Sequence, residues 1–239
     1  MKKDEILANG KWQFDKNVTD CFDDMLARSI PDYNTMRKLT LDITEPYIQD
    51  THFGMLDIGC SNGINLDMFI SKYNNKGAYV GIDTSKEMIS SANKKLNKYD
   101  VQLKLINDDV INIEDYCMFK YNIVTSILTI QFVPMEKRPQ LLSTIYNSMK
   151  PNGVFILVEK ILQPVSELDK LFVDRYYKIK QENGYTKEQI VAKKKSLEGV
   201  LVPNTHNGNI ELLENVGFKH IDTFWKCLNF EGYIAIKGE

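Results

Sequence analysis

An α/β fold built on a doubly wound, largely parallel sheet is predicted by three observations. Short runs of buried, β-branched character alternate with amphipathic segments of helical period from Gly54 to Glu159. One of those runs, Met-Leu-Asp-Ile-Gly-Cys-Ser-Asn-Gly (55–63), leaves a strand through a glycine loop and enters a helix. The next two strands also end on acids, Asp83 and Asp109. Strand–helix alternation buries both faces of a parallel sheet, and such sheets bind ligands at the carboxyl ends of their strands.

Each element follows from the same rules. Residues 16–30 place Val18, Cys21, Phe22, Met25 and Leu26 on one helical face and stop ahead of Pro31. A second helix is expected over 34–48, with Pro46 bending its end. Strands are expected at 55–58, 78–83, 101–106, 121–128 and 154–159, with helices at 64–73, 86–99 and 136–149. Thr84 and Ser85 are N-cap candidates for the second of these helices, and 150–153 is read as a turn. Residues 109–120 are expected to be a short polar helix or loop. Two charged helices joined at Asn183-Gly184 interrupt the rhythm; a helix at 209–216 and a terminal antiparallel hairpin follow. The organisation is therefore an N-terminal helical cap (1–50), a Rossmann-like core (51–163 and 206–239) and a helical insertion (164–205). The insertion would serve as lid, dimer or acceptor region.

Composition narrows the function. The 239-residue chain has a net charge of −2 and 43% hydrophobic residues, so no global field draws it to nucleic acid. No apolar run approaches the ~20 residues of a membrane span, and the expected location is the cytoplasm. Four widely spaced cysteines without a CxxC pair predict neither a disulfide framework nor a metal site.

The strand ends carry groups suited to a nucleoside. Gly59-Cys60-Ser61 would offer backbone donors to a carboxylate or phosphate. Asp83 would accept from both ribose hydroxyls, and Asp109 with Val110 would hold an adenine edge. A glycine turn alone is only a turn, and an acid after a strand is often only a cap. Three such features in order specify a cofactor site. Two glycines four apart, with neither G-x-G-x-x-G nor a Walker lysine, favour a methionine-derived cofactor over a dinucleotide.

The loop Asp57-x-Gly59-Cys60-Ser61-x-Gly63, with Ile82-Asp83, Asp109 and Thr129-Ile-Gln-Phe132, resembles class I S-adenosylmethionine-dependent methyltransferases. More narrowly, Phe22-Asp23-Asp24-Met25, Arg28-Ser29-Ile30-Pro31, Tyr33 and Asn183-Gly184-Tyr185 resemble the carboxy-S-adenosylmethionine synthase family, which serves tRNA wobble-uridine modification. The resemblance implies a homodimer. It also implies that Tyr33, Gly59, Cys60, Ser61, Asp83, Thr84, Asp109 and Val110 hold S-adenosylmethionine or its carboxylated derivative, within a loop that includes Asp57 and Gly63. Two positions depart from that family: Ile127 stands in place of an asparagine, and Lys194 in place of the arginine that grips the added carboxylate. Lysine is a mobile point charge, not a planar fork, and isoleucine removes a polar partner. The expected activity is therefore in-line methyl transfer from S-adenosylmethionine to an unidentified small molecule. The alternatives are the synthase reaction with prephenate and a non-catalytic cofactor-binding protein. Arg175, Tyr176, Tyr177 and Lys194 are the substrate-binding candidates. Tyr33 and His206 are candidate bases, although a lone loop histidine is the blander reading of the latter.

Overall fold

The computed structural model of the protein describes residues 2–48, 52–112 and 119–239. The cap–core boundary at 50/51, most of the polar segment after Asn112, and Cys117 lie outside the described residues. Two helices open the chain: α1 (Lys16–Ser29), capped by the Asp15 carboxylate accepting from the Val18 amide at 3.0 Å, and α2 (Tyr33–Thr44). The predicted second helix is cut short at its C-terminus, because Pro46 sits in a 3-10 turn (Glu45–Tyr47) that cannot continue the α-helical ladder.

The core then alternates as expected: β1 (Phe53–Ile58), α3 (Ile64–Tyr73), β2 (Gly77–Asp83), α4 (Lys86–Leu96), β3 (Gln102–Asn107), β4 (Tyr121–Ile127), α5 (Arg138–Ser148) and β5 (Met149–Leu162). The insertion supplies α6 (Ser166–Glu182) and α7 (Lys187–Leu197). A two-residue strand, β6 (Asn204–Thr205), follows, then α8 (His206–Asn215), β7 (His220–Cys227) and β8 (Phe230–Ile236). The sheet order is β3-β2-β1-β4-β5-β8-β7, with β6 beside β5. Strands β1 to β5 run parallel, whereas β8 pairs antiparallel with both β5 and β7. β1 thus lies between β2 and β4, with Leu56 opposite Val80 and Val124, and the chain switches direction across the sheet at that point. A ligand crevice is expected there.

Two predictions change in detail. Helix α4 stops at Leu96 because Tyr99 turns out of line, its hydroxyl donating to Asp67 Oδ1 at 2.9 Å. The turn expected at 150–153 is absorbed into β5. Met149 pairs with Tyr121, the register slips, and Val154 pairs with Ile123, while Asn152 takes φ 57° and donates to the Lys237 carbonyl.

Alternating residues along β1 feed the two faces of the sheet. Leu56 and Ile58 join Val124, Leu141 and Phe155 on one side; Met55 joins Phe69, Tyr79 and Ile156 on the other. A third cluster, Trp12, Val18, Phe22, Met25 and Met88, fastens the cap to α4. The insertion is tied to the cap by polar contacts: the Tyr185 hydroxyl donates to Asp4, and Asn183 Nδ2 donates to the Arg28 carbonyl at 3.0 Å. Among the described residues, no helix is long and apolar enough to cross a membrane.

Candidate active site

A cavity of about 310 Å³ opens at the carboxyl ends of β1, β2 and β4, where the switch in direction leaves a crevice. Its sheet side is formed by Asp57, Gly59, Asp83 and Ile127; α1, α2 and α7 contribute Phe22, Tyr33 and Lys193.

The loop after β1 owes its shape to positive-φ backbone. Gly59 and Gly63 take φ 69° and 75°, and Ser61 takes φ 50°. A side chain at Gly59 would be strained, and its Cβ would lie 2.1 Å from Thr129 Oγ1. The expectation that this loop offers free backbone donors does not hold. The Gly59 and Cys60 amides both donate to the Ile82 carbonyl, at 2.9 and 3.0 Å, and the Ser61 amide donates to Asp83 Oδ2 at 2.9 Å. The loop instead provides close approach. Cys60 is buried, and burial pushes its thiol well above the ordinary value, so it packs and is not activated. Gly63 does not line the cavity: it caps α3, and a Cβ there would lie 2.9 Å from Leu96 on α4.

The acids behave differently from one another. Asp57 is buried; its Oδ1 accepts from Thr125 Oγ1 at 2.7 Å and from Asn65 Nδ2 at 3.1 Å, while Oδ2 has no partner among the described residues. Burial pushes this carboxyl up to about 6. An unmatched carboxylate oxygen on a cavity wall suits a ligand ammonium. Asp83 bridges the loop and α4, its Oδ1 accepting from the Ser85 amide at 2.8 Å; burial raises its pKa. Each of its oxygens keeps a lone pair for a hydroxyl. Asp109 Oδ1 accepts from the Ile111 amide at 3.0 Å, beside the buried Val110. Thr84 completes this side.

The segment after β4 is held from below by a group to which the sequence assigned no role. Glu159 on β5 is buried, and its two oxygens accept from the Ile130 and Gln131 amides at 3.0 and 2.7 Å. Burial outweighs these bonds and the nearby Arg138, pushing its carboxyl up to about 8. Gln131 in turn accepts from the Lys160 amide at 2.9 Å. This ladder sets Gln131 and Phe132 in the cavity floor.

Of the remaining sequence candidates, Tyr33, Ile127 and Tyr176 line the cavity. Tyr33 is a poor base, since burial raises its hydroxyl far above the ordinary value and keeps it protonated. Four candidates lie outside. Arg175 is half exposed and pairs with Glu182 at 2.7 Å. His206 Nδ1 sits 3.0 Å from Glu231 at the start of α8. Tyr177 lies beside Tyr176, the rings tilted 39° with centroids 5.5 Å apart, and does not reach the wall. Lys194 is exposed, and it is Lys193 that lines the cavity, its ammonium 4.5 Å from the Trp12 ring centroid. Successive helical residues point about 100° apart, so only one lysine of the run can turn inward. Lys160 and Arg37, also on the wall, were assigned no site role from sequence. The run 193–195 was the available signal for the first of the new cations; nothing local marks the other two.

A protein-family model described as a methyltransferase domain matches residues 55–153. The carboxy-S-adenosyl-L-methionine synthase of Nautilia profundicola is 35% identical over 227 residues, 95% of each chain. That of Sulfurimonas denitrificans is 34% identical over the same shares. That of Campylobacter lari is 33% identical, over 98% of this chain and 100% of its own. Among solved structures, the fold is similar to human N-acetylserotonin methyltransferase in complex with S-adenosylmethionine. The TM-score is 0.61 at 14% identity, over 94% of this chain and 56% of that one. It is also similar to the plantazolicin methyltransferase BpumL, with a TM-score of 0.65 at 17% identity over 91% and 90%.

Proposed function

The chain belongs to the carboxy-S-adenosyl-L-methionine synthase family, and from that membership we propose that it converts S-adenosylmethionine into its carboxymethyl derivative with prephenate as carboxyl donor. The observation that carries this reading is Lys193 on the cavity wall. The departure at Lys194 argued against a carboxylate grip, but the neighbouring lysine supplies a cation to the cavity. Transfer of a methyl group to a neutral acceptor would need no such cation.

The residues present fit the cofactor. The unmatched Asp57 Oδ2 would take its ammonium, Asp83 its ribose hydroxyls, and Asp109 with Val110 its adenine edge. The bound sulfonium supplies the reacting methyl carbon, which loses a proton and gains carbon dioxide. Prephenate loses carbon dioxide and hydroxide, and hydroxide and proton leave as water, so the reaction provides its own base. That accounts for a site in which Tyr33 is held protonated and His206 lies elsewhere. Trp12, Phe14, Phe22 and Phe230 line the cavity with apolar surface and exclude bulk water from the reacting carbon. A homodimer would cover the exposed apolar residues Val165, Leu168 and Leu171 of the insertion.

The apolar Ile127 at the end of β4 favours a second reading, plain methyl transfer to a small molecule. Mass spectrometry separates the two. Incubating the enzyme with S-adenosylmethionine and prephenate is expected to yield a sulfonium cation heavier by the mass of one carbon dioxide. Recovery of unchanged S-adenosylmethionine, with demethylated cofactor appearing only when another acceptor is added, would reject the synthase reading.

A further inference from the structure

Three lysines gather at the cavity with no carboxylate in contact among the described residues. Lys160 lies near the end of β5, Lys180 on α6 and Lys193 on α7. Lys160 and Lys193 line the cavity, and Lys180, 4% exposed, stands behind Tyr176. Among the described residues, none of the three has a carboxylate oxygen within 4.0 Å. Their neighbours are aromatic faces. Lys160 and Lys180 lie 5.6 and 5.7 Å from the Tyr176 centroid, Lys180 also 5.0 Å from Tyr185, and Lys193 4.5 Å from Trp12. Ring faces recover only part of the cost of removing an ammonium from water.

The nearby acids do not close the balance. Asp4 acts on Lys180 and Lys193 from beyond contact distance while accepting from the Tyr185 hydroxyl and the Ile6 amide, and Asp169 acts on Lys160 in the same remote way. Arg28, Lys194 and the lysines themselves push the other way, and burial with this repulsion draws all three ammonium pKa values down. The cofactor's own carboxylate does not require them. Arg37 lines the cavity beside Tyr33 with a buried Nε that has no partner among the described residues, and its Nη2 donates to the Ile64 carbonyl at 2.7 Å. One cation is thus available to the cofactor and three remain. Lys160 and Lys180 lie at nearly the same distance from one ring, so the charge of the buried lysine adds to that of the one on the wall.

We propose that Lys160 and Lys193, with Lys180 behind them, form a dicarboxylate subsite that holds the carboxyl donor apart from the acidic cofactor wall. The assignment rests on the synthase reading for the identity of the donor, while the subsite itself is tested by binding. Lys160→Met and Lys193→Met keep side-chain length and remove the charge. With prephenate as probe, each is expected to weaken donor binding by calorimetry, and to raise donor KM, about tenfold or more, since charge-assisted contacts are the strong ones. S-adenosylmethionine affinity should stay within twofold, and Lys→Arg should restore most of the donor affinity. Unchanged donor binding in both Met variants, or an equal loss of cofactor affinity, overturns the subsite. Should the variants unfold, inhibition of the wild-type enzyme decides: a dicarboxylate analogue of the donor must bind at least several-fold tighter than its monoester, and equal inhibition overturns the proposal. A wild-type enzyme that binds prephenate in a lysine-dependent way yet forms no carboxylated product would leave the subsite standing and reject the reaction.

Discussion

The two charged sides of the cavity are built on opposite principles. Asp57, Asp83 and Asp109 stand at or just after the carboxyl ends of β1, β2 and β3, and each is tied by short-range bonds: to Thr125 and Asn65, to Ser61 and Ser85, to Ile111. They are pre-set acceptors whose geometry the sheet decides. Lys160, Lys180 and Lys193 come from one strand and two insertion helices, and lie beside aromatic rings with no carboxylate in contact among the described residues. Rigid, partly satisfied acids suit a ligand that must lie in one pose. Long ammoniums held without partners suit a ligand whose charge completes them.

The contrast can be broken most sharply at Asp83. Asp83→Ala removes the ribose acceptor and also releases the Ser61 and Ser85 amides, so S-adenosylmethionine affinity should fall by ~1–3 kcal/mol, roughly 5- to 150-fold. Calorimetric binding within twofold of wild type would remove Asp83 from the cofactor wall.

The lysine side is sharpened by pH. Burial, the first cause in each case, brings Lys193 down to about 8 and Lys180 to about 7, with Asp4 opposing and Arg28 reinforcing the shift. A bound dianion favours the ammonium form. Donor affinity should therefore be greatest below pH 7 and decline through pH 7–8, by up to about tenfold per pH unit for each group that loses its proton. Binding should take up protons, measurable by calorimetry in buffers of different ionisation enthalpy. Cofactor affinity should follow no such curve, and a flat donor profile would show that these ammoniums do not meet the donor.

The smallest effect is expected outside the cavity. Arg175→Ala and Lys194→Ala alter exposed side chains and should leave donor and cofactor KM within about twofold. A large rise in donor KM for Lys194→Ala, with none for Lys193→Met, would transfer the inward-facing role back to residue 194.

How much of this was legible follows from the range of each interaction. The core strands and most helices were readable because period and length are local signals, and Asp57, Asp83 and Asp109 were readable because each stands at or just after the end of a readable strand. The amides of Gly59 and Cys60 misled because their partner, the Ile82 carbonyl, belongs to the adjacent strand. Glu159 was invisible as a support for residues 130–131, since the bond crosses from β5 to the loop after β4. The lysine run showed that charge was present but not which member turned inward.

By itself, then, the sequence determined the alternating α/β core, the glycine loop after β1 and the acids that follow the strands, since hydrophobic period, chain reversal and strand ends are properties of adjacent residues. Only the tertiary structure decided that Gly63 serves packing against α4, that Arg175, Tyr177, Lys194 and His206 stand outside the cavity, and that three separate lysines converge beside it. Those facts depend on how the cap and the insertion pack against the sheet, and charge burial is a property of that packing.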